Sequence, residues 1–279
     1  MFLHKSSDCP EYYLFDNLSQ CSELAHGVFT RDGGASDQNF KSLNLSLSTG
    51  DHRDNVYLNR KKVAFCMGVS EHKAVYLNQV HGKEFVILKK QTLKSHVQPE
   101  SIENALKKDE SKDAGLQAEL SNKDADGIIT DVKGLLTVMQ VADCQAVIMY
   151  DPENKVVANI HSGWRGSLLN IIGRGVEVMV EQFGTNPAQI LAAIAPSLGP
   201  CCAEFKNYQN EIPEHLWKYK ISEYNFDFWQ MSRDQLTEKG VLPKNLEVAG
   251  ICTSCSSQIF YSYRKENITG RFAVAAGLR

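Results

Sequence analysis

The sequence has no run of about 18 or more apolar residues, the length expected of a membrane-spanning helix. Its 30 lysines and arginines against 33 aspartates and glutamates give a formal net charge of −3, and no basic stripe stands out along the chain. Nucleic-acid-binding proteins concentrate positive charge on one face, so we expect neither nucleic acid nor a membrane as partner. The first residues lack the charged-then-apolar order of an export signal. We therefore expect a soluble, cytoplasmic protein.

The eight cysteines follow no disulfide pattern. Without an export signal, most of these thiols are predicted to be reduced and buried as small apolar groups. Cys252 and Cys255 form a C-x-x-C pair, but no second pair stands at zinc-finger spacing. Adjacent Cys201 and Cys202 are not expected to bind one metal comfortably, so these four residues are not the favoured metal site.

Short apolar runs bounded by turn residues dominate the chain after Gly127. The runs GIIT, GLLTVMQV, QAVIMYD and KVVANIH fit buried strands. Helical spacing is seen from Asp54 to Met67, in SLLNIIGRGVEVMVEQFG, and near Phe228 to Lys239. With 43% hydrophobic residues the chain has enough apolar surface for a core. Because strands mix with few helices, the predicted class is α+β or a mixed layered sandwich.

The segment from Thr92 to Asp124 is charged, polar and almost free of aromatic residues. Such a composition cannot bury enough apolar surface to order itself firmly. We predict a surface excursion that is partly helical or disordered, with a functional lid as the alternative. Strand patterns resume directly after it, so it is not a domain boundary.

Three chemically reactive residues stand where predicted strands end, namely His81, Cys144 and His161. Strand ends of a layered sheet bring distant positions together. Two histidines and a cysteine form a zinc site when a fourth position stays open, and they are also the trigonal set of a copper site. Sixty-two and sixteen residues lie between them, so neither gap is a local metal motif. A Cys–His nucleophile pair, or a buried thiol beside ordinary polar histidines, remains an alternative.

The turn between two apolar runs reads Ser162-Gly163-Trp164-Arg165-Gly166. Arg165 stands at the predicted start of a helix, where backbone N–H groups and the helix dipole attract anions. Its planar guanidinium suits phosphate or carboxylate, whereas the alternative is a surface arginine paired with an acid. Trp164 is predicted either to stack on a base or sugar, or to fill the core.

Six motifs in order closely resemble the laccase-domain family, whose YfiH-like members were first labelled polyphenol oxidases and later purine nucleoside phosphorylases. They are NQVHGKEF, DADGIITD, VADCQAVIMYD, NIHSGWRG, IAPSLGPCC and FYSYRKENITGR. FTRDGGAS, SLNLS and Asn59-Arg60 resemble the N-terminal motif of the same family, so the likeness extends from about Ala25 to Arg271. It implies one domain over residues 1–279, folded as an α-β-β layered sandwich similar to the catalytic domain of cytotoxic necrotizing factor.

The resemblance also implies a site. His81, Cys144 and His161 would meet in one pocket as catalytic residues and bind zinc, or copper as the alternative metal. Asn44, Arg60 and Arg165 match motif positions that would line the substrate pocket. The family's activities are phosphorolysis of adenosine, inosine, guanosine and methylthioadenosine, and deamination of adenosine. The implied partners are therefore purine nucleosides and phosphate, with the chain a monomer or homodimer.

A few positions depart from the family pattern. Ser162 stands where the family usually has alanine, Gln145 where an apolar residue is common, and Ala146 where proline is common. None of these changes touches the three expected ligands. They bear on substrate preference more than on activity.

Three other functions are compatible with these residues. A copper-dependent polyphenol oxidase would use the same three ligands, but the eight histidines contain no His-x-His pair for a copper cluster. A Cys–His hydrolase would cleave an amide, for example in a cell-wall precursor, although fold does not fix function. A non-enzymatic metal-binding module is the third. The H-x-E and P-C-x-x-C signature of zinc deaminases is absent, so deamination here would need another geometry.

Overall fold

The computed structural model describes residues 1–91 and 123–279, and within them twelve strands form two six-stranded sheets. The strands are β1 (Phe2–His4), β2 (Tyr12–Leu14), β3 (Leu24–Phe29), β4 (Ala74–Val75), β5 (Phe85–Leu88), β6 (Gly127–Thr130), β7 (Leu136–Val141), β8 (Gln145–Asp151), β9 (Val156–Ser162), β10 (Leu191–Ile194), β11 (Leu246–Val248) and β12 (Phe272–Leu278). The α-helices are α1 (Asp16–Ser19), α2 (Arg53–Cys66), α3 (Trp164–Leu168), α4 (Ile171–Phe183), α5 (Tyr208–Glu211), α6 (Phe228–Glu238) and α7 (Tyr263–Glu266). The predicted excursion over 92–124 lies outside the described residues, apart from Lys123 and Asp124.

Both sheets are mostly antiparallel with parallel pairs at their edges. The first has the order β1-β2-β3-β12-β7-β4, in which only β4 and β7 run parallel. The second has the order β11-β10-β8-β9-β6-β5, with parallel pairs at both ends. Mixed sheets with separate helices are typical of the α+β class, so that prediction is confirmed.

The core lies between the two sheets. Met139 and Val274 of the first sheet pack in one apolar cluster with Ile148 and Val157 of the second. The side-chain amide of Asn159, buried in this interface, donates hydrogen bonds to the carbonyls of Thr137 (3.1 Å) and Val274 (2.9 Å). A polar group buried with its donors satisfied fixes how the sheets sit on each other.

Helices cover the outer faces of both sheets. Val176 and Met179 of α4 pack against Ile160 on the second sheet. Val63 of α2 packs with Val138 on the opposite side of the molecule. Strands covered on both faces show continuous apolar runs instead of alternation, as in the seven buried residues of β8. The layered sandwich is confirmed and has a helix on each side, while the likeness to cytotoxic necrotizing factor stays a prediction.

One predicted helix is two helices in the structure. The run beginning at Ser167 breaks at Asn170, whose φ of 55° places it in the left-handed region. Asn170 tolerates that conformation, and its side chain accepts a hydrogen bond from the Gly173 amide at 3.1 Å, which begins α4. Helix α4 ends at Gly184 as expected, with φ of 70°.

The prediction that the cysteines are reduced thiols is wrong for one pair. Cys9 and Cys66 form a disulfide between the segment preceding β2 and the last residue of α2. Fifty-seven positions separate the two residues, so the sequence held no local pattern that linked them.

Within residues 1–91 and 123–279, no helix is long and apolar enough to cross a membrane.

Candidate metal and substrate site

Two loops and one strand end bring together the residues predicted as metal ligands. Cys144 immediately precedes β8, and His161 lies near the end of β9, where it pairs with Ala146 of β8. His81 lies in a turn with φ of 59°, and its ring contacts that of His161 edge to face at 4.9 Å between centroids. One ligand atom from each of the three residues lies within 4.8 Å of the others. That spacing is compatible with a single shared ion.

Gly163 gives these side chains the space they occupy. A Cβ atom built at Gly163 would lie 2.2 Å from His81 Nδ1 and 3.3 Å from Cys144 Sγ. The first distance is a severe overlap, so only glycine fits between this ring and the backbone that follows β9. This close approach explains the glycine directly after His161-Ser162 in the sequence.

The buried carboxylate of Asp126 organises both histidines. It accepts hydrogen bonds from His161 Nδ1 (2.7 Å), from the His81 amide (3.0 Å) and from the Gly82 amide (2.6 Å). An ionised carboxylate only accepts, so Nδ1 of His161 carries a proton, and Nε2 is the ring nitrogen that can bind a metal once its own proton is lost. Asp126 lies in the DADGIITD motif, but its only signal in the sequence was a position directly before a strand, so no role was predicted for it.

The electrostatics of Cys144 and His161 favour the charged form of each, a thiolate and an imidazolium. Burial opposes the thiolate of Cys144, but His161 and His81 together outweigh it and lower the pKa of Cys144 to about 6. Burial likewise opposes the imidazolium, yet Cys144 and Asp126 raise the pKa of His161 to about 9. The pKa of Asp126 is lowered, because its hydrogen bonds outweigh its desolvation. A deprotonated thiol is the form in which cysteine attacks or binds metal.

The donor set fits zinc. One thiolate and two imidazoles would supply three of the four ligands that zinc takes, and the adjoining cavity leaves room for a fourth. Across residues 1–91 and 123–279, no other histidine joins a group of metal-binding side chains. The described residues therefore hold no histidine cluster of the kind that several copper ions need.

A cavity of about 1190 Å³ opens over the three residues. This volume exceeds that of ordinary small-molecule pockets, so it has room for a nucleoside-sized ligand and a second reactant. Four arginines line it, together with aromatic side chains that include Trp164. They are Arg53, Arg60, Arg264 and Arg271.

Residues 25–279 match the family described as multi-copper polyphenol oxidoreductase laccase. The chain belongs to this family. The purine nucleoside phosphorylase YfiH of Escherichia coli K12 is 30% identical over 251 residues, which cover 88% of this chain and 89% of that protein. The purine nucleoside phosphorylase YlmD of Geobacillus stearothermophilus is 29% identical over 263 residues, covering 91% and 89%. A crystal structure of the Bacillus licheniformis hypothetical protein YfiH superposes with a TM-score of 0.81 at 28% identity, covering 98% of both chains.

The predicted substrate-binding residues of this laccase-family chain lie in three different settings. Arg60 lines the cavity, donates from Nε to the Leu45 carbonyl at 2.9 Å, and lies 3.8 Å above the ring of Tyr76. Arg165 is exposed, lies 4.1 Å from the Trp164 ring, and is outside the cavity lining. The structure therefore brings only one of these two arginines to the cavity.

Asn44 is fully buried outside the cavity lining. Its amide donates to Ser46, Thr49 and Asp51, and its Oδ1 accepts from the backbone amide of Arg271 at 2.8 Å. Asn44 thus positions the backbone of an arginine that does line the cavity. Arg264 and Arg271 themselves belong to the FYSYRKENITGR motif, but sequence reasoning gave them no role.

Asp143, the residue before Cys144, connects it to the C-terminal part of the chain. Its φ is 82°, a conformation that aspartate tolerates better than most residues. Its carboxylate accepts hydrogen bonds from Thr253 Oγ1 (2.7 Å), Ser262 Oγ (2.6 Å) and the Arg264 amide (2.6 Å). These contacts hold the start of α7 against the loop that carries Cys144. The sequence gave no sign of this contact.

Proposed function

We propose that this chain is a purine nucleoside phosphorylase whose reaction takes place beside His81, Cys144 and His161. The observation that carries the proposal is the cavity, which has these three residues in its lining together with four arginines. Relatives of similar length at 29% and 30% identity bear the name purine nucleoside phosphorylase. Adenosine, inosine, guanosine and methylthioadenosine are the substrates we assign to it.

The arginines are suited to phosphate. Arg271 donates to the carbonyls of Thr269 and Gly270, and Arg264 to those of Cys202 and Glu204. These bonds fix both guanidinium groups while leaving further N–H groups for a bidentate contact with phosphate oxygens. Held in place before the reaction, they stabilise negative charge on phosphate as the glycosidic bond breaks.

Aromatic side chains are suited to the purine base. Trp164 and Phe205 both line the cavity and contact each other edge to face, 5.7 Å between centroids. Trp164 was predicted either to stack on a base or to fill the core, and it lies at the boundary of the two, packed against a buried apolar cluster and lining the cavity. A flat aromatic wall binds any purine through its π-face, which fits a substrate range that includes several nucleosides.

The residues present fit zinc as the resident metal, and zinc held there supplies Lewis-acid chemistry. Asp126 keeps the His161 ring oriented by holding its Nδ1 proton. Cys144 enters the site as a thiolate because His161 lowers its pKa. We assign adenosine deamination to the same centre as a second activity, with a donor arrangement unlike that of the H-x-E zinc deaminases.

The test is to incubate the pure protein with adenosine, with and without phosphate, and separate the products by chromatography. Adenine and ribose-1-phosphate formed only with phosphate would support the phosphorylase. Inosine formed without phosphate would support the deaminase. Cys144→Ala should abolish both products while the thermal unfolding transition persists. Full turnover by that variant would remove these residues from the reaction.

One observation favours a second function, a Cys–His amide hydrolase. Cys144 has a pKa of about 6 beside His161, so it is a nucleophile even without metal. The two functions differ in their response to chelation. A hydrolase of this type keeps its activity in a strong zinc chelator, whereas the proposed phosphorylase loses it.

A further inference from the structure

Four cysteines converge at one point that the proposed reaction does not use. Cys201 and Cys202 lie in the loop after β10, and Cys252 and Cys255 lie in the turn that precedes α7. One sulfur from each lies within 4.8 Å of all the others. Cys255 Sγ is 3.6 Å from Cys201 Sγ and 3.5 Å from Cys202 Sγ.

These separations match metal ligands better than disulfides. A disulfide needs sulfurs about 2.05 Å apart. Four thiolates bound to zinc at about 2.3 Å stand roughly 3.8 Å apart at the corners of a tetrahedron. The 3.5 and 3.6 Å separations in the structure lie near that edge length. The expectation that adjacent Cys201 and Cys202 are badly placed for one metal does not hold, because both sulfurs reach Cys255.

Backbone amides already prepare one of the sulfurs for negative charge. The Gly199 amide donates to Cys252 Sγ at 3.3 Å, and the Cys255 amide bonds to the same sulfur. Amide donors to sulfur stabilise a thiolate, and such bonds are the outer shell that metal ligands usually have. A Cβ at Gly199 would lie 2.9 Å from the Cys252 Cβ, so glycine is required at this approach.

We propose that Cys201, Cys202, Cys252 and Cys255 bind one zinc ion as a structural site separate from the His-Cys-His centre. Four protein thiolates complete the coordination, which leaves no position for water or substrate. Each thiol loses its proton on binding, so metal affinity falls in acid. Cys201 and Cys255 are exposed, so an ion can enter from solvent. Cys252 is buried, so one ligand is held in place by the packing around it.

The position of the site explains what it would stabilise. Ser197 and Cys252 form an isolated parallel bridge between the two cysteine-bearing segments. One segment donates the Leu198 amide to the Asp143 carbonyl at 2.8 Å, and the other donates Thr253 Oγ1 to the Asp143 carboxylate at 2.7 Å. Zinc would thus join the two segments that hold Asp143, and through it the loop of Cys144.

The experiment measures zinc per chain in protein that is reduced, incubated with zinc alone and desalted. It starts from Cys144→Ser, which weakens the first centre whatever reaction that centre performs. We expect Cys144→Ser to retain about one zinc per chain, and Cys144→Ser combined with Cys255→Ser to lose it. Cys21→Ser in the same background is the matched control, because Cys21 is a free cysteine outside the cluster. Retention of zinc by the double variant would overturn the proposal, and so would its absence from Cys144→Ser.

A second measurement needs no variant and therefore no assumption about folding. Zinc should slow alkylation of the four clustered cysteines in the native chain at least ten-fold, and a chelator should restore the rate. Alkylation of Cys21 should be the same in both conditions, which makes it the internal control. Equal rates at the four cysteines with and without zinc would contradict the proposal. Peptides joining Cys202 to Cys255 by a disulfide in the purified chain would contradict it as well.

Discussion

A single methyl group at Gly163 should destroy the site while leaving the fold intact. Gly163 has φ of −68° and ψ of 170°, a conformation open to alanine, so the backbone itself is not strained. The new Cβ would lie 2.2 Å from His81 Nδ1, about 1.2 Å short of an ordinary contact of 3.4 Å. His81 is exposed and can move toward solvent, whereas Gly163 is buried between the end of β9 and the start of α3.

The expected magnitude follows from that displacement. Moving a reacting group by about 1 Å costs on the order of 100-fold in rate, so Gly163→Ala should lower kcat/KM for adenosine phosphorolysis by about that factor. Zinc bound at the His-Cys-His centre should fall in parallel. The thermal unfolding midpoint should change little, because the overlap is relieved by a side chain that makes few buried contacts.

Gly166→Ala is the matched control, three residues further on in α3. Its Cβ would meet the Gly82 carbonyl and the Ile171 side chain at 3.3 Å, a tight contact that small shifts can absorb. Alanine is also favoured over glycine inside a helix by up to about 1 kcal/mol. We expect activity within about threefold of the native chain. If Gly163→Ala retained native activity and zinc, the close approach of His81 to this glycine would be refuted.

Three further predictions concern residues with different roles. Asp126→Asn should weaken zinc binding about 10- to 100-fold, since an amide cannot accept all three hydrogen bonds; native affinity in a zinc competition titration would contradict this. His26 accepts a hydrogen bond from the Phe15 amide, and burial lowers its pKa to about 4. Because the unfolded chain takes up this proton first, the free energy of unfolding should fall by about 3 kcal/mol from pH 6.5 to 4, and urea melts of His26→Gln should lack that loss. If Arg60 binds substrate, Arg60→Ala should raise KM for phosphate or nucleoside about tenfold or more, whereas Arg165→Ala should leave both within about twofold; the reverse order in initial-rate kinetics would exclude Arg60 from the binding site.

Much of the fold was predictable because its strands are covered on both faces. Continuous apolar runs such as QAVIMYD appear as β8 with the expected bounds. The break at Asn170 was missed because one asparagine in the left-handed conformation does not change the helical spacing of the apolar residues around it. The Cys9–Cys66 disulfide was missed because the spacing of cysteines in the sequence does not show that the segment before β2 lies against the end of α2.

The part of the site that could be predicted consists of reactive residue types that stand at the ends of predicted strands. His81, Cys144 and His161 are reactive residue types at the ends of apolar runs, and the structure brings all three together. Asp126 and Asp143 were missed because a carboxylate beside a turn looks the same whether it caps a loop or orients a ligand. The convergence of the four cysteines depends on two loops that lie about fifty residues apart, a relation that no local spacing encodes.

The two histidines of the site are held in unequal ways. Asp126 bonds to the ring of buried His161, but it bonds only to the main chain of His81, whose side chain is exposed. In the proposed zinc site His161 is therefore the fixed ligand. The exposed ring of His81 is held inward only by its contacts with Cys144 and the His161 ring, so it can swing outward once those are lost. We expect an ion to exchange through the side of His81, so substitutions there should alter the rate of metal exchange more than the identity of the metal chosen.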